Sequence, residues 1–152
     1  MKAQVIDLET GNLERAKPSR GRRFLNGLCW FVALELFVFA PFKFYPGGVL
    51  NYPSYPEKFV HWGYPAWFSM VVGGLELLAA VLLLFPRRRF LGAVLLVLIL
   101  TGAVPTHIIN RDTLSDSLAA PIHLVFAAIV ALANWPADWR DLFRRNHATA
   151  AA

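Results

Sequence analysis

Five side chains in this sequence could do chemistry, and all five lie in or beside apolar runs. Glu35 sits inside FLNGLCWFVALELFVFAPFKFY, and Glu76 sits inside PAWFSMVVGGLELLAAVLLLF. Lys43 comes near the end of the first run, His107 near the end of FLGAVLLVLILTGAVPTHII, and His123 near the start of LAAPIHLVFAAIVALANW. A charge at the centre of a bilayer costs about 2.5–3.5 kcal/mol on insertion scales. Two carboxylates, two imidazoles and an ammonium in such runs are therefore expected to face one another, not lipid. Together they would supply proton donors, proton acceptors and a fixed positive charge, which suits acid–base work on a polar head group. Thr101 and Thr106 add hydroxyls on the third run.

The elements that must position these groups are the four apolar runs themselves, residues 24–45, 65–85, 90–109 and 118–135. Each has about the 20 residues that a helix needs to cross a hydrocarbon core of about 30 Å. Of the 152 residues, 57% are hydrophobic and 16% are charged, against about 25% charged in a soluble domain. These features predict an all-α, four-helix transmembrane bundle in a single domain. Residues 1–23 read as a loosely ordered polar tail. Residues 46–64, rich in proline, glycine and aromatics, read as a structured external loop. Residues 136–152 read as a tail with an interfacial amphipathic segment around Trp139, Leu142 and Phe143. Pro65 suits the first turn of a helix, Pro105 is expected to kink the third span, and Ser117 is placed to cap the fourth.

The basic residues fall in short blocks that flank the runs. A net charge of +5 is therefore assigned to membrane anchoring, and no nucleic-acid partner is expected. The N-terminal tail has six Lys and Arg, the turn at 87–89 has three and the C-terminal tail has three, leaving three for the other two loops. That asymmetry puts both termini in the cytoplasm. Counted from the other side at about 1.5 Å per residue, Glu76 lies roughly 16 Å deep and Glu35 roughly 15 Å. On the same scale His123 lies roughly 8 Å deep, and His107 and Lys43 lie near the surface. The polar set thus marks a pocket open to the outer side. If the two carboxylates meet, they titrate as one coupled pair.

Several chemistries are excluded or disfavoured. Cys29, the one cysteine, allows neither an intramolecular disulfide nor a redox pair of thiols, and it is expected to be a small buried apolar residue. A haem between His107 and His123 needs more room than adjacent helices give. No Glu-x-x-His pair supports a metal site, so no metal is expected. No phosphate loop, nucleophile elbow or dinucleotide fingerprint is present.

From about Phe37 to Trp135 the order of features resembles the DoxX-like membrane proteins. The resemblance rests on the lysine-bearing FAPFKF, on G-x-L-E-L with Glu76, on Ala103 followed by Thr106–His107, and on PIHLVF opening the last span. Family members more often have a glycine shortly before the lysine, where this chain has Ala40–Pro41–Phe42, and Glu35 lies outside the expected pattern. The resemblance implies a four-helix bundle with Lys43, Glu76 and His107 in a pocket; His123 and Glu35 are added from their depth. Some relatives are linked to thiosulfate:quinone oxidoreduction and others to membrane complexes handling oxidative stress. The expected function is a subunit of a quinone-linked redox system in a bacterial inner membrane. A quinone would be its ligand, Lys43 would polarise a carbonyl or hold an anion, and a second subunit would supply electrons. The alternative is a non-enzymatic scaffold whose polar cluster only fixes packing. A proton-coupled transporter has less support, because the inner half of the runs lacks polar residues.

Overall fold

The computed structural model describes residues 4–6, 13–15, 19–47 and 53–136. Gln4–Ile6 (β1) and Leu13–Arg15 (β2) form a short antiparallel ribbon in the N-terminal tail, with Val5 opposite Glu14. Val5 and Ile6 are branched residues, a type that favours a strand. The amphipathic segment expected around Trp139 lies outside the described residues.

The remaining elements are helical. They are α1 (Arg20–Phe39), a 3₁₀ turn (Ala40–Phe44), α2 (Tyr55–His61), α3 (Phe68–Leu84), α4 (Arg89–Ile109), α5 (Leu114–Ser117) and α6 (Ala119–Ala133). The long helices make a closed ring of contacts: α1 packs on α3 and α6, α3 on α4, and α4 on α6. The segments Arg20–Phe44, Arg89–Ile109 and Leu114–Ala133 are long and apolar enough to cross a membrane, and α3 is a shorter apolar helix.

Prolines set the boundaries that differ from the sequence reading. The first run was expected to be helical to residue 45. Pro41 has no N–H, and its ring crowds the carbonyl four residues back. The α-helix therefore stops at Phe39 and the chain tightens into the 3₁₀ turn. Pro121 acts in the same way on the carbonyl of Ser117 and separates α5 from α6 at Leu118. Ser117 is consequently not a cap for the fourth span. Its hydroxyl donates back to the Thr113 carbonyl, and Thr113 holds the N-cap position. Pro105 lies within α4 without ending it.

The core is built from small residues. Ala33, Ala79, Ala80, Ala93, Ala127 and Ala131 are buried with Cys29, Val32, Leu83, Leu96 and Val130. Small side chains let helix backbones approach closely, which is how apolar helices gain packing contacts without water to drive them. Gly92 is the tightest point: a methyl group there would lie 2.8 Å from the Ala79 carbonyl oxygen and 3.1 Å from the Leu83 nitrogen. At the same end of the bundle Arg89 is turned inward. Its Nε donates to the Leu83 carbonyl at 3.0 Å and its terminal nitrogen donates to Asn26 Oδ1. Of the three arginines in this turn, one is therefore a buried clasp between α1, α3 and α4, not a surface anchor.

Candidate functional site

At the opposite end, the four long helices separate around a cavity of about 820 Å³. Glu35, Lys43, Glu76, His107 and His123 all line it. The two carboxylates do not pair with each other. Each has its own base.

Glu76 is held by Lys43, whose Nζ lies 2.7 Å from Glu76 Oε2 with both side chains nearly buried. The contact is an ion pair, and no directed hydrogen bond satisfies Oε2 among the described residues. Local sequence explains how the lysine gets there. Gly73 lies one turn before Glu76 on the same face of α3. Its missing side chain lets the 3₁₀ turn sit against α3, where a methyl group would lie 2.9 Å from Lys43 Cβ and 3.1 Å from the Ala40 carbonyl oxygen. The Ser69 hydroxyl lies at the same joint, 2.9 Å from the Ala66 carbonyl and 3.1 Å from the Lys43 carbonyl, and shares its one proton between them. The ammonium also lies 4.6 Å above the centre of the Tyr55 ring, a cation–π distance.

Glu35 reaches across from α1 to α6, where its Oε2 lies 2.7 Å from His123 Nε2. The other imidazole nitrogen, Nδ1, lies 2.7 Å from the Ala119 carbonyl. A carbonyl only accepts, so Nδ1 must carry a proton. The contact between Nε2 and the carboxyl group then needs one further proton, on the nitrogen or on the oxygen. Either way the pair holds that proton in the hydrogen bond and has no net charge.

His107 is oriented by a residue that the sequence reading did not single out. Asp112, in the turn after α4, accepts from His107 Nδ1 at 2.7 Å through one oxygen and from Trp62 Nε1 at 3.3 Å through the other. The Trp62 ring stands edge-on to the imidazole at 5.0 Å. With Nδ1 as the donor, Nε2 of a neutral His107 is an acceptor, and it meets no hydrogen-bond partner among the described residues. A carboxylate that fixes the tautomer of a neighbouring histidine makes it a directed base. Removing this carboxylate with Asp112→Ala should leave two N–H donors unmatched and cost about 1–3 kcal/mol. It should also mix the two His107 tautomers, which ring ¹⁵N shifts would report; unchanged shifts would show that Asp112 does not orient the ring.

A fourth acid–base pair, Lys58 with Asp116 at 3.2 Å, ties α2 to α5. Helix α2 falls within the stretch expected to be loop. Its signal was in the sequence: Ser54 and Glu57 form a reciprocal capping box, with Glu57 Oε2 accepting from the Ser54 N–H at 2.8 Å, and such a pair marks a helix start. Phe59 of α2 packs on Trp62, Tyr64 and Phe68 and makes this wall aromatic. Tyr64 contacts Thr106 Oγ1 at 3.1 Å, and Thr106 donates to the Gly102 carbonyl, so the phenol is the donor. Thr101 donates to the Val97 carbonyl within α4 and does not line the cavity. Apart from Ser115, the remaining wall is apolar. It runs out to Phe39 and Leu98, which are 53% and 67% exposed on the outer face of the bundle. Among the described residues no three His, Cys, Asp or Glu side chains gather as metal ligands.

Apolar helices around a cavity with acid–base pairs at one end and aliphatic walls at the other define a membrane protein with an amphiphilic interior. The family model of the DoxX-like family matches residues 28–133, from within α1 to the end of α6. The chain belongs to the DoxX-like family. The match starts before the region where the sequence resemblance was seen, and so includes Glu35. The chain is also similar to the uncharacterized protein YdgD of Bacillus subtilis (strain 168), with 28% identity over 112 residues, covering 68% of this chain and 93% of that protein. No solved structure matches.

Proposed function

We propose that this protein is the quinone-binding subunit of a redox system in a bacterial inner membrane. All four long helices cross the bilayer, both termini face the cytoplasm, and the cavity lies in the outer half. The observation that carries this reading is the cavity itself. Its volume is within the roughly 300–1,000 Å³ range of small-molecule sites, its rim opens on the apolar face of the bundle, and its polar groups gather at one end. A quinone needs that arrangement: an apolar path for its tail, and donors and acceptors at its head group. The Glu35–His123 pair would give a proton to the head group, and His107, oriented by Asp112, would accept one. Electrons would come from a partner subunit.

Mass spectrometry on protein extracted with its native lipids, beside a Glu76→Gln variant, tests the reading. We expect a quinone to be retained by the wild type and depleted in the variant, because the uncharged amide no longer holds the Lys43 ammonium by charge. A second reading, a non-enzymatic scaffold, draws on one observation: each of the four acids already has a base of its own. If no small molecule is retained and Glu76→Gln only lowers the melting temperature, the cluster is a packing device and the scaffold reading prevails.

A further inference from the structure

The end of the bundle away from the cavity holds a buried charge of its own. Arg89 is 6% exposed, and its two hydrogen-bond partners, the Leu83 carbonyl and Asn26 Oδ1, are neutral acceptors. A guanidinium keeps its charge in a protein, and a buried charge without a counter-charge is costly. No carboxylate forms an ion pair with Arg89 among the described residues. Glu35 and Glu76 pair with His123 and Lys43, and Asp112 and Asp116 pair with His107 and Lys58, all around the cavity. Glu57 caps α2, and the first turns of α1 and α4 contain no acid. The second terminal nitrogen of Arg89 has no hydrogen-bond partner. Among the described residues only Glu76 Oε2 is both sealed from solvent and without such a partner, so this nitrogen is open to the surface.

The surroundings of that opening are basic. Arg22 and Asn26 share a face of α1 with Cys29 at helical spacing, so Arg22 stands one turn outside the clasp. Arg23, Arg87 and Arg88 are exposed at the same end. An aromatic pair marks the level of the opening in the bilayer. Phe90, next to Arg89, packs edge-on against Trp135 at 5.3 Å, and Trp135 is exposed just beyond the end of α6. Exposed tryptophans at helix ends belong to the membrane–water interface, the level of the lipid head groups.

We infer that Arg89, Arg22 and Asn26 form a binding site for the phosphate of an anionic phospholipid. The clasp onto Leu83 and Asn26 fixes the guanidinium plane, and its remaining N–H groups take a phosphate oxygen in a charge-assisted hydrogen bond. The Asn26 oxygen is occupied by Arg89, which leaves its amide N–H groups as further donors. A zwitterionic head group suits the site less well, because it brings its own ammonium among the arginines. Phe85, exposed between Leu83 and the basic turn, offers an apolar surface to the acyl chains, which a free phosphate does not have. The site is separate from the cavity and does not depend on what fills it.

The test uses the full chain stripped of lipid in a neutral detergent. Dioleoylphosphatidylglycerol and dioleoylphosphatidylcholine are titrated separately, and bound lipid is counted by native mass spectrometry. The wild type should bind the first phosphatidylglycerol about tenfold more tightly than phosphatidylcholine. The preference should fall to about twofold or less in Arg89→Gln and to an intermediate value in Arg22→Gln. Arg20→Gln is the control: Arg20 is exposed on the other side of α1 from Arg22, and its loss should leave the preference intact. An equal affinity of the wild type for both lipids would overturn the inference. Equal losses in Arg22→Gln and Arg20→Gln would also overturn it, by reducing the effect to a diffuse attraction between arginines and head groups. Displacement of the lipid by millimolar inorganic phosphate would assign the site to a free anion and overturn its assignment to lipid. If Arg89→Gln does not fold, the comparison of Arg22→Gln with Arg20→Gln decides. None of these outcomes bears on whether a quinone is retained in the cavity.

Discussion

Replacing Lys43 with methionine should lower the stability of the protein by about 3–5 kcal/mol. The side chains of Lys43 and Glu76 are 13% and 10% exposed, so the substitution leaves a carboxylate in a nearly dry site without its counter-charge. The effect should come from stranding Glu76, and only a small part from losing the attraction itself. A double substitution, Lys43→Met with Glu76→Leu, tests this account. Replacing both members of a buried pair with apolar groups is often close to neutral, so the double variant should recover most of the loss. Equilibrium unfolding in mixed micelles would measure both. If Lys43→Met stays within about 0.5 kcal/mol of the wild type, the pair is solvated in the folded protein, and the cavity is wetter than its geometry implies.

Gly73→Val should also destabilise the protein, by a different route. The new Cβ would lie 2.9 Å from Lys43 Cβ and Phe44 Cε2, and 3.1 Å from a backbone oxygen that cannot rotate away. Overpacking of this kind costs about 1–3 kcal/mol. The 3₁₀ turn can relieve it only by moving off α3, which carries Lys43 away from Glu76. A hydrophobic carbodiimide should then modify Glu76 faster than in the wild type. Gly74→Val is the control. A Cβ at Gly74 meets only Phe44 Cζ, at 4.0 Å, and should change neither stability nor labelling by much. Equal effects at the two positions would mean that the joint between the turn and α3 is not tight.

Much of the architecture was legible because bilayer physics leaves few options. Apolar runs of about 20 residues become helices since the backbone must satisfy itself there, and the resemblance to the DoxX-like family followed from a few residues placed along those runs. The site was legible in part. Depth along each run grouped Glu35, Glu76, His107 and His123, and the structure places them with Lys43 around one cavity. Depth gives no azimuth around a helix, however, so it suggested a carboxylate pair where each carboxylate instead faces a base on another element. Asp112 was missed for a related reason: it lies in a polar turn, where an acid attracts no notice until the chain folds it back onto His107. Arg89 was read as an anchor because it belongs to a basic block, and only the clasp on Asn26 and the Leu83 carbonyl separates it from its two neighbours. Helix α2 was written in the Ser54–Glu57 capping box and was hidden by the prolines and glycines around it.

The brevity of α3 has a consequence for the surrounding lipid. Seventeen residues rise about 25 Å, less than the roughly 30 Å of a typical hydrocarbon core. Met70, Val71, Leu78 and Val81 are exposed on this helix, and in the orientation proposed above lipid tails meet them directly. Around the rest of the ring α1, α4 and the joined α5–α6 segment Leu114–Ala133 have 20 or 21 residues, and beside them α3 leaves a step. A bilayer accommodates such a step by thinning locally or by letting the helices tilt. The protein therefore carries a built-in thickness preference on one flank, and shorter-chain or more disordered lipids should collect beside α3.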